Sequence, residues 1–135
     1  MAFRKQVKIY FDQGDPARIV FHGQHSIIVQ RVLEDFIPEI GIPWEDYFDN
    51  KDIFMPLVRL NHEFKKPLYP GETYNVEIQI QHIGRSSLKF EYQILDLKDA
   101  CCCVIESVYV CTNPKNFKSK PLPEKWVELL KKHKQ

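Results

Sequence analysis

Two rhythms organise the apolar positions of this chain, one helical and the others alternating. Between Gln24 and Ile37, residues Ile28, Val29, Val32, Leu33, Phe36 and Ile37 follow the i, i+3, i+4, i+7, i+8 spacing of one helix face. Ile27 and Ile40 widen that stripe, so the spacing predicts a helix more than half buried, ended by Pro38 and followed by a turn at Gly41 and Pro43. Elsewhere the period is two. Val7 to Phe11 reads as a short strand, broken by Asp12 to Arg18 with its turn residues Gly14 and Pro16. Phe54 to Phe64 forms a second strand carrying Leu57, Val58, Leu60 and Phe64, ended by Pro67 and Pro70-Gly71. Thr73 to Gln81 alternates most cleanly, with Tyr74, Val76, Ile78 and Ile80 on one face. After a turn at Ile83 to Ser86, the residues Leu88, Phe90, Tyr92 and Ile94 repeat the pattern. A last strand from Cys101 to Cys111 is apolar on both faces, which places it centrally or against a second layer. Pro123 to His133 predicts a short helix with Trp126, Leu129 and Leu130 on one side.

Strand, long helix, then four strands with short connections describe an antiparallel meander that must bury one apolar helix. The expected class is therefore α+β, a curved antiparallel sheet of about five strands wrapped around one central helix, in a single domain spanning 1–135. One helix against one sheet leaves a strand edge and a sheet face to be covered, so a homodimer with paired edge strands is expected.

Composition narrows the function. With 44% hydrophobic and 27% charged residues the chain is of ordinary globular make-up, and a formal net charge of +1 gives no general pull toward nucleic acid or anionic membrane. The lysines between Lys115 and Lys134 form a local basic excess, read as a solvated helix face. No stretch is apolar enough for a signal peptide or a membrane span, so a cytoplasmic location is expected. Cys101, Cys102 and Cys103 alternate across a strand and cannot converge on one metal, nor can neighbours form a good disulfide; with Cys111 they read as small buried hydrophobes. His22 and His25 lack a third metal ligand nearby, so no metal site is expected, and His62 and His82 read as ordinary polar residues of the sheet. Trp44, Tyr47 and Phe48 read as packing at the end of the long helix.

One segment, Asp12 to His25 (DQGDPARIVFHGQH), is dense in functional side chains. It sets Asp15 in a turn just before the buried helix, with His22, Gln24 and His25 at or near its start. Unpaired N–H groups at a helix N-terminus suit an oxygen that gains negative charge, and a nearby carboxylate can activate water or attack a carbonyl. The residues alone leave the other reading open, in which Asp15 caps a turn and both histidines lie on the surface.

Asp15, Pro16, Ala17, Ile19, Val20, Phe21 and His22 fall without a gap on a pattern that resembles the active-site segment of the 4-hydroxybenzoyl-coenzyme A thioesterase family. Met55-Pro56-Leu57-Val58, Phe64-Lys65-Lys66-Pro67, Gly71-Glu72, Gly84-Arg85-Ser86-Ser87 and Pro121-Leu122-Pro123 come in the family's order, so the resemblance spans nearly the whole chain. It implies the hotdog fold and hydrolysis of an acyl-coenzyme A to free acid and coenzyme A. Asp15 would be general base or nucleophile, and the backbone N–H of His22 would polarise the thioester carbonyl. The His22 side chain is similar to the histidine of the acyl-coenzyme A thioesterases associated with the Tol-Pal system. Arg85, with Ser86, would contact the coenzyme A phosphate, and His25, Pro56 and Val58 the substrate. No cofactor is expected, coenzyme A being part of the substrate. The resemblance also implies a homotetramer built from dimers, with the active site between subunits.

Two positions depart from the pattern: Arg18 stands at the usual glycine and His25 at the usual tyrosine. The aromatic-acyl and short-chain branches are both resembled, so an aromatic or short-chain acyl group is expected rather than a long one. A noncatalytic acyl-coenzyme A or small-molecule binding module is the alternative, favoured by Arg18. Hydration of an acyl chain ranks last, for want of the His and carboxylate pair that such enzymes carry in the central helix.

Overall fold

The computed structural model describes residues 3–134; Met1, Ala2 and Gln135, included in the expected 1–135 domain, lie outside the described residues. The elements in chain order are β1 (Phe3–Lys8), α1 (Gln24–Glu39), α2 (Trp44–Phe48), β2 (Leu57–Phe64), β3 (Thr73–Ile83), β4 (Ser87–Leu95), β5 (Cys101–Val110) and α3 (Glu124–His133). The strands form one antiparallel sheet in the order β1-β3-β4-β5-β2. Alternation sends Tyr74, Val76, Ile78 and Ile80, then Leu88, Phe90, Tyr92 and Ile94, to one buried face. The apolar stripe of α1 lies in that concavity: Val32, Leu33 and Ile37 are at most 1% exposed, and Phe36 meets Phe3 and Phe90 ring to ring.

Several boundaries differ from the sequence expectation. β1 runs Phe3–Lys8 rather than Val7 to Phe11, and Phe11–Gln13 is a short 3-10 turn. Pro38 does not stop α1, which continues to Glu39. The helix ends instead in a Schellman motif: Ile42 N–H donates to Ile37 C=O at 3.2 Å and Gly41 N–H to Pro38 C=O at 3.0 Å, with Gly41 at φ 101°. β2 begins at Leu57, and Phe54 makes only an isolated bridge to Thr112.

The four late strands are not a simple meander. β2 sits on the far edge beside β5, and β1 takes the place beside β3. The chain must then cross the end of the sheet between Phe64 and Thr73, and the prolines of that segment suit a crossing better than a hairpin. Its Leu68 is fully buried and anchors it. β5 is an interior strand between β4 and the edge strand β2, and its outward residues Val104, Val108 and Val110 are only half-buried. Cys102, Cys103 and Cys111 are buried free thiols, and burial pushes Cys103 up to about 12, so it stays protonated.

Candidate active site

The Asp15 segment is a tight hairpin loop held against the crossing segment. Arg18 N–H donates to Asp15 C=O and Asp15 N–H to Ile19 C=O, both at 2.9 Å, which closes a three-residue loop over Pro16, Ala17 and Arg18. The last residue of such a loop takes the left-handed conformation, and Arg18 has φ 64°. That explains a glycine as the usual occupant; the arginine adopts the same backbone at a cost of about 1 kcal/mol. Val20 N–H donates to Leu68 C=O at 2.8 Å. A Cβ on Gly14 would come within 2.9 Å of Pro70 Cγ, so glycine is what lets the two segments touch.

Asp15 is half-buried, and its Oδ1 accepts the Ala17 N–H at 2.8 Å. Among the described residues Oδ2 has no hydrogen-bond partner, so one carboxylate oxygen is oriented and the other is free. With His22, His25, Phe64, Lys65 and Lys66, Asp15 lines a cavity of about 360 Å³. α1 points its N-terminus here. Gly23 is the N-cap and offers no side chain, and no acid occupies the first turn, so the helix end keeps uncapped N–H groups and its partial positive charge. His22 lies near the helix start, just before the cap, with Gln24 the first helical residue. Among the described residues, the amides of His22 and Gly23 have no acceptor.

The histidines divide by burial. His22 is exposed, beside the Phe21 ring at 4.3 Å, whereas His25 is 3% exposed and its Nδ1 has no hydrogen-bond partner. His25 lies edge-on to Phe64 at 4.9 Å, and His62 stacks on the same ring at 5.4 Å. Desolvation holds the His25 imidazole below its ordinary pKa; the His62 and His22 charges act the same way, and the His22 and Phe21 carbonyls offset part of it. Desolvation, then the His22 charge, likewise lowers His62. His62, expected to be an ordinary polar residue of the sheet, belongs with Leu60 and Phe64 to the inward set of β2 by simple alternation. Lys65 and Lys66, part of the Phe64-Lys65-Lys66-Pro67 motif, carry no spacing that would mark them as site residues before the fold is known. Among the described residues no group of three or more His, Cys, Asp or Glu is arranged to hold a metal.

The remaining expected site residues are elsewhere in the protomer. Arg85 and Ser86 form the β3–β4 turn, where Ser86 C=O accepts from Cys111 N–H and Arg85 C=O from Leu122 N–H. Pro56 adjoins them through Val110, whose N–H donates to Pro56 C=O, and Val58 is the extra residue of a bulge at the start of β2. β3 separates this cluster from Asp15 by its full length, roughly 30 Å. The fold therefore brings Asp15, His22 and His25 together and sets Arg85, Ser86, Pro56 and Val58 apart from them. Tyr47 is buried and stacks on Trp126 at 5.1 Å, as packing requires.

Comparison with known proteins agrees with this architecture. Residues 11–130 match the thioesterase-like superfamily. The chain is 24% identical to a 1,4-dihydroxy-2-naphthoyl-CoA hydrolase of Synechococcus elongatus, over 94% of this chain and 96% of that protein. It superposes on a 1,4-dihydroxy-2-naphthoyl-CoA thioesterase structure from Synechocystis with TM-score 0.88 at 19% identity, covering 96% of both chains. A DHNA-CoA thioesterase structure from Staphylococcus aureus gives TM-score 0.86 at 19% identity, over 97% of this chain and 89% of that one. The hotdog fold expected from the sequence is thus observed.

Proposed function

Since the chain belongs to the thioesterase-like superfamily, we propose that it hydrolyses an aromatic or short-chain acyl-coenzyme A at the Asp15 cavity. The observation that carries this reading is the pairing, in one cavity, of a carboxylate with one free oxygen and a helix end whose N–H groups are uncapped. The thioester carbonyl oxygen receives the amides of His22 and Gly23, which meet the negative charge that develops in the tetrahedral intermediate. Asp15 Oδ2 either takes a proton from the attacking water, which gives the free acid directly, or bonds to the carbonyl carbon to form an acyl anhydride that water then hydrolyses to the acid; in both routes the C–S bond breaks, and coenzyme A leaves as the thiol with a proton that comes from the water. His22 flanks the reacting carbonyl, and the neutral, buried His25 forms a wall of the acyl site. The names of the relatives support a hydroxylated naphthoyl or similar aryl group over a long chain.

The functional unit is a homodimer, and a tetramer of such dimers is compatible with the half-buried outer sheet face. β2 is a sheet edge with Leu57, Val58, Leu60 and Phe64 exposed. Antiparallel pairing of β2 with its copy sets the Phe64 end of one chain beside the Leu57 end of the other. Arg85 and Ser86 then approach the Asp15 cavity of the opposite subunit, where the Arg85 guanidinium can hold the coenzyme A phosphate with two hydrogen bonds. Wild type and Asp15→Asn run side by side on benzoyl, hydroxybenzoyl, butyryl and palmitoyl thioesters test the reading. Hydrolysis of the aryl or butyryl thioester by wild type, abolished in Asp15→Asn, is expected; normal turnover by the variant, or a palmitoyl preference, overturns it.

A further inference from the structure

The basic excess expected on a helix face divides in two in the fold. Lys125, Lys131 and Lys132 lie on α3, but Lys115, Lys118 and Lys120 precede it, in the connection from β5. From Asn113 to Pro123 that connection carries these lysines and no acid. Among the described residues none of their ammonium groups pairs with a carboxylate; Lys120 Nζ donates instead to the Asp52 C=O at 3.2 Å.

The same connection presents aromatic surface. Phe117 is 66% exposed, and its ring meets that of Phe54, itself 46% exposed, at 6.2 Å. Neither ring belongs to the core, so burial does not account for holding them there. The backbone beneath is nonetheless fixed. Asn113 N–H donates to Lys118 C=O at 2.9 Å and Phe117 N–H to Asn113 C=O at 2.8 Å, while Asn113 Oδ1 and Asn116 Oδ1 accept the Lys115 and Lys118 N–H groups. Phe117 takes the left-handed conformation, φ 59°, which is uncommon for a bulky residue. An ordered loop that keeps a large apolar ring in solvent at the cost of an unfavourable backbone has the form of a binding surface.

This surface adjoins the Arg85 turn. Cys111 N–H donates to Ser86 C=O at 2.6 Å, Leu122 N–H to Arg85 C=O at 2.9 Å, and Lys120 N–H to Cys111 C=O at 2.9 Å. Phe54 and Thr112 exchange two backbone hydrogen bonds, at 2.9 and 2.8 Å. The Arg85 turn, Phe54 and the lysine-bearing connection are thereby stitched together at one end of the protomer, with flat apolar surface beside a group of cations.

We infer that the Phe117–Phe54 pair stacks the adenine base of coenzyme A and that Lys118 and Lys120 hold its 3′-phosphate, leaving the diphosphate to Arg85. Resting on the thioesterase reading, this names the residues that recognise the nucleotide end of the leaving group. A purine offers its π-face to an exposed aromatic ring, and its neighbouring phosphates supply the negative charge that the lysines lack within the chain. Lysine meets a phosphate as a mobile point charge, suited to a terminal 3′-phosphate, whereas the planar fork of arginine suits the more fixed diphosphate.

The test takes the acyl group that wild type hydrolyses best and compares kcat/KM for its thioesters with coenzyme A, 3′-dephospho-coenzyme A and pantetheine. The proteins are wild type, Phe117→Ala, Phe117→Trp and the double variant Lys118→Ala/Lys120→Ala, with melting temperatures alongside. Wild type should favour the coenzyme A thioester over the pantetheine thioester by about tenfold or more, through KM. Phe117→Ala should cut that ratio about tenfold or to unity, and Phe117→Trp should keep it. The double lysine variant should bring coenzyme A and dephospho-coenzyme A thioesters to within about twofold of each other. Equal use of the three thioesters by wild type, unchanged ratios in the variants, or an equal loss on all three overturns the inference while leaving the hydrolase reading standing. Failure of wild type to hydrolyse any thioester overturns both.

Discussion

At one end of the sheet the chain gathers a carboxylate, two histidines and the uncapped end of α1; at the other it presents an exposed arginine on a hairpin turn. The Asp15 end is tightly tied: the loop closes on itself, Val20 is bonded to Leu68, and the end of α1 is aimed at the same cavity. The Arg85 end is a hairpin turn pinned by Ser86 to Cys111 and by Arg85 to Leu122, with Arg85 itself exposed beside the bare edge of β2. The difference teaches that the residues expected to share one site fall into two groups within the protomer, roughly 30 Å apart, which no motion within a folded sheet could bring together. In the homodimer proposed above they would be two half-sites, united by a two-fold axis across β2 without any such motion.

The largest expected effect is at the Asp15 end. Asp15→Asn should lower kcat on a good aryl thioester by about 10³-fold or more, with KM and melting temperature nearly unchanged. Loss of stability in place of turnover would reduce Asp15 to a turn residue. Arg85→Ala should act differently, raising KM for coenzyme A thioesters about tenfold with kcat held, and making KM less sensitive to salt. The two variants can then be mixed after dissociation. In a mixed dimer one composite site has both defects and the other has none, so about a quarter of wild-type sites should return. Activity no greater than the sum of the two parents would mean that the two ends do not meet across subunits.

Two smaller effects sharpen the picture of the Asp15 end. Arg18→Gly should raise stability by up to about 1 kcal/mol without changing turnover, because glycine relieves the left-handed φ while adding some chain entropy to the unfolded state. Denaturant unfolding measures this, and a destabilised variant would show that the arginine side chain has a role of its own. The pH dependence of melting follows from the histidines. Folded His25 and His62 have pKa values below the unfolded value near 6.5. The unfolded chain therefore binds more protons as pH falls below about 6.5, and the stability present above that pH is progressively lost on acidification. His62→Gln should flatten part of this slope, and melting curves from pH 7.5 to 5 would detect it; an unaltered slope would remove His62 from the account.

The Asp15 half-site was legible because it is nearly contiguous: seven consecutive positions from Gly14 to Val20 make the loop, and α1 begins four residues later. His62 was not, since a histidine in a strand signals nothing until the strand's neighbour and inward face are known. The four-strand meander failed for a related reason. Short connections favour adjacent pairing, but the crossing from Phe64 to Thr73 is long enough to carry β2 to the opposite edge, and its prolines favour that path.

By itself the sequence determined what depends on near neighbours: the apolar stripe of α1, the alternation of β3 and β4, the turn chemistry around Asp15 and the free thiols of β5. These follow from periods of 3.6 and 2 and from local backbone sterics, which act over a few residues. Only the tertiary structure decided the strand order, the sharing of the Phe64 ring by His62 and His25, and the separation of Arg85 from Asp15. Those depend on which distant segments share the concave face of one sheet, and that choice is made by collective burial that no single stretch of sequence contains.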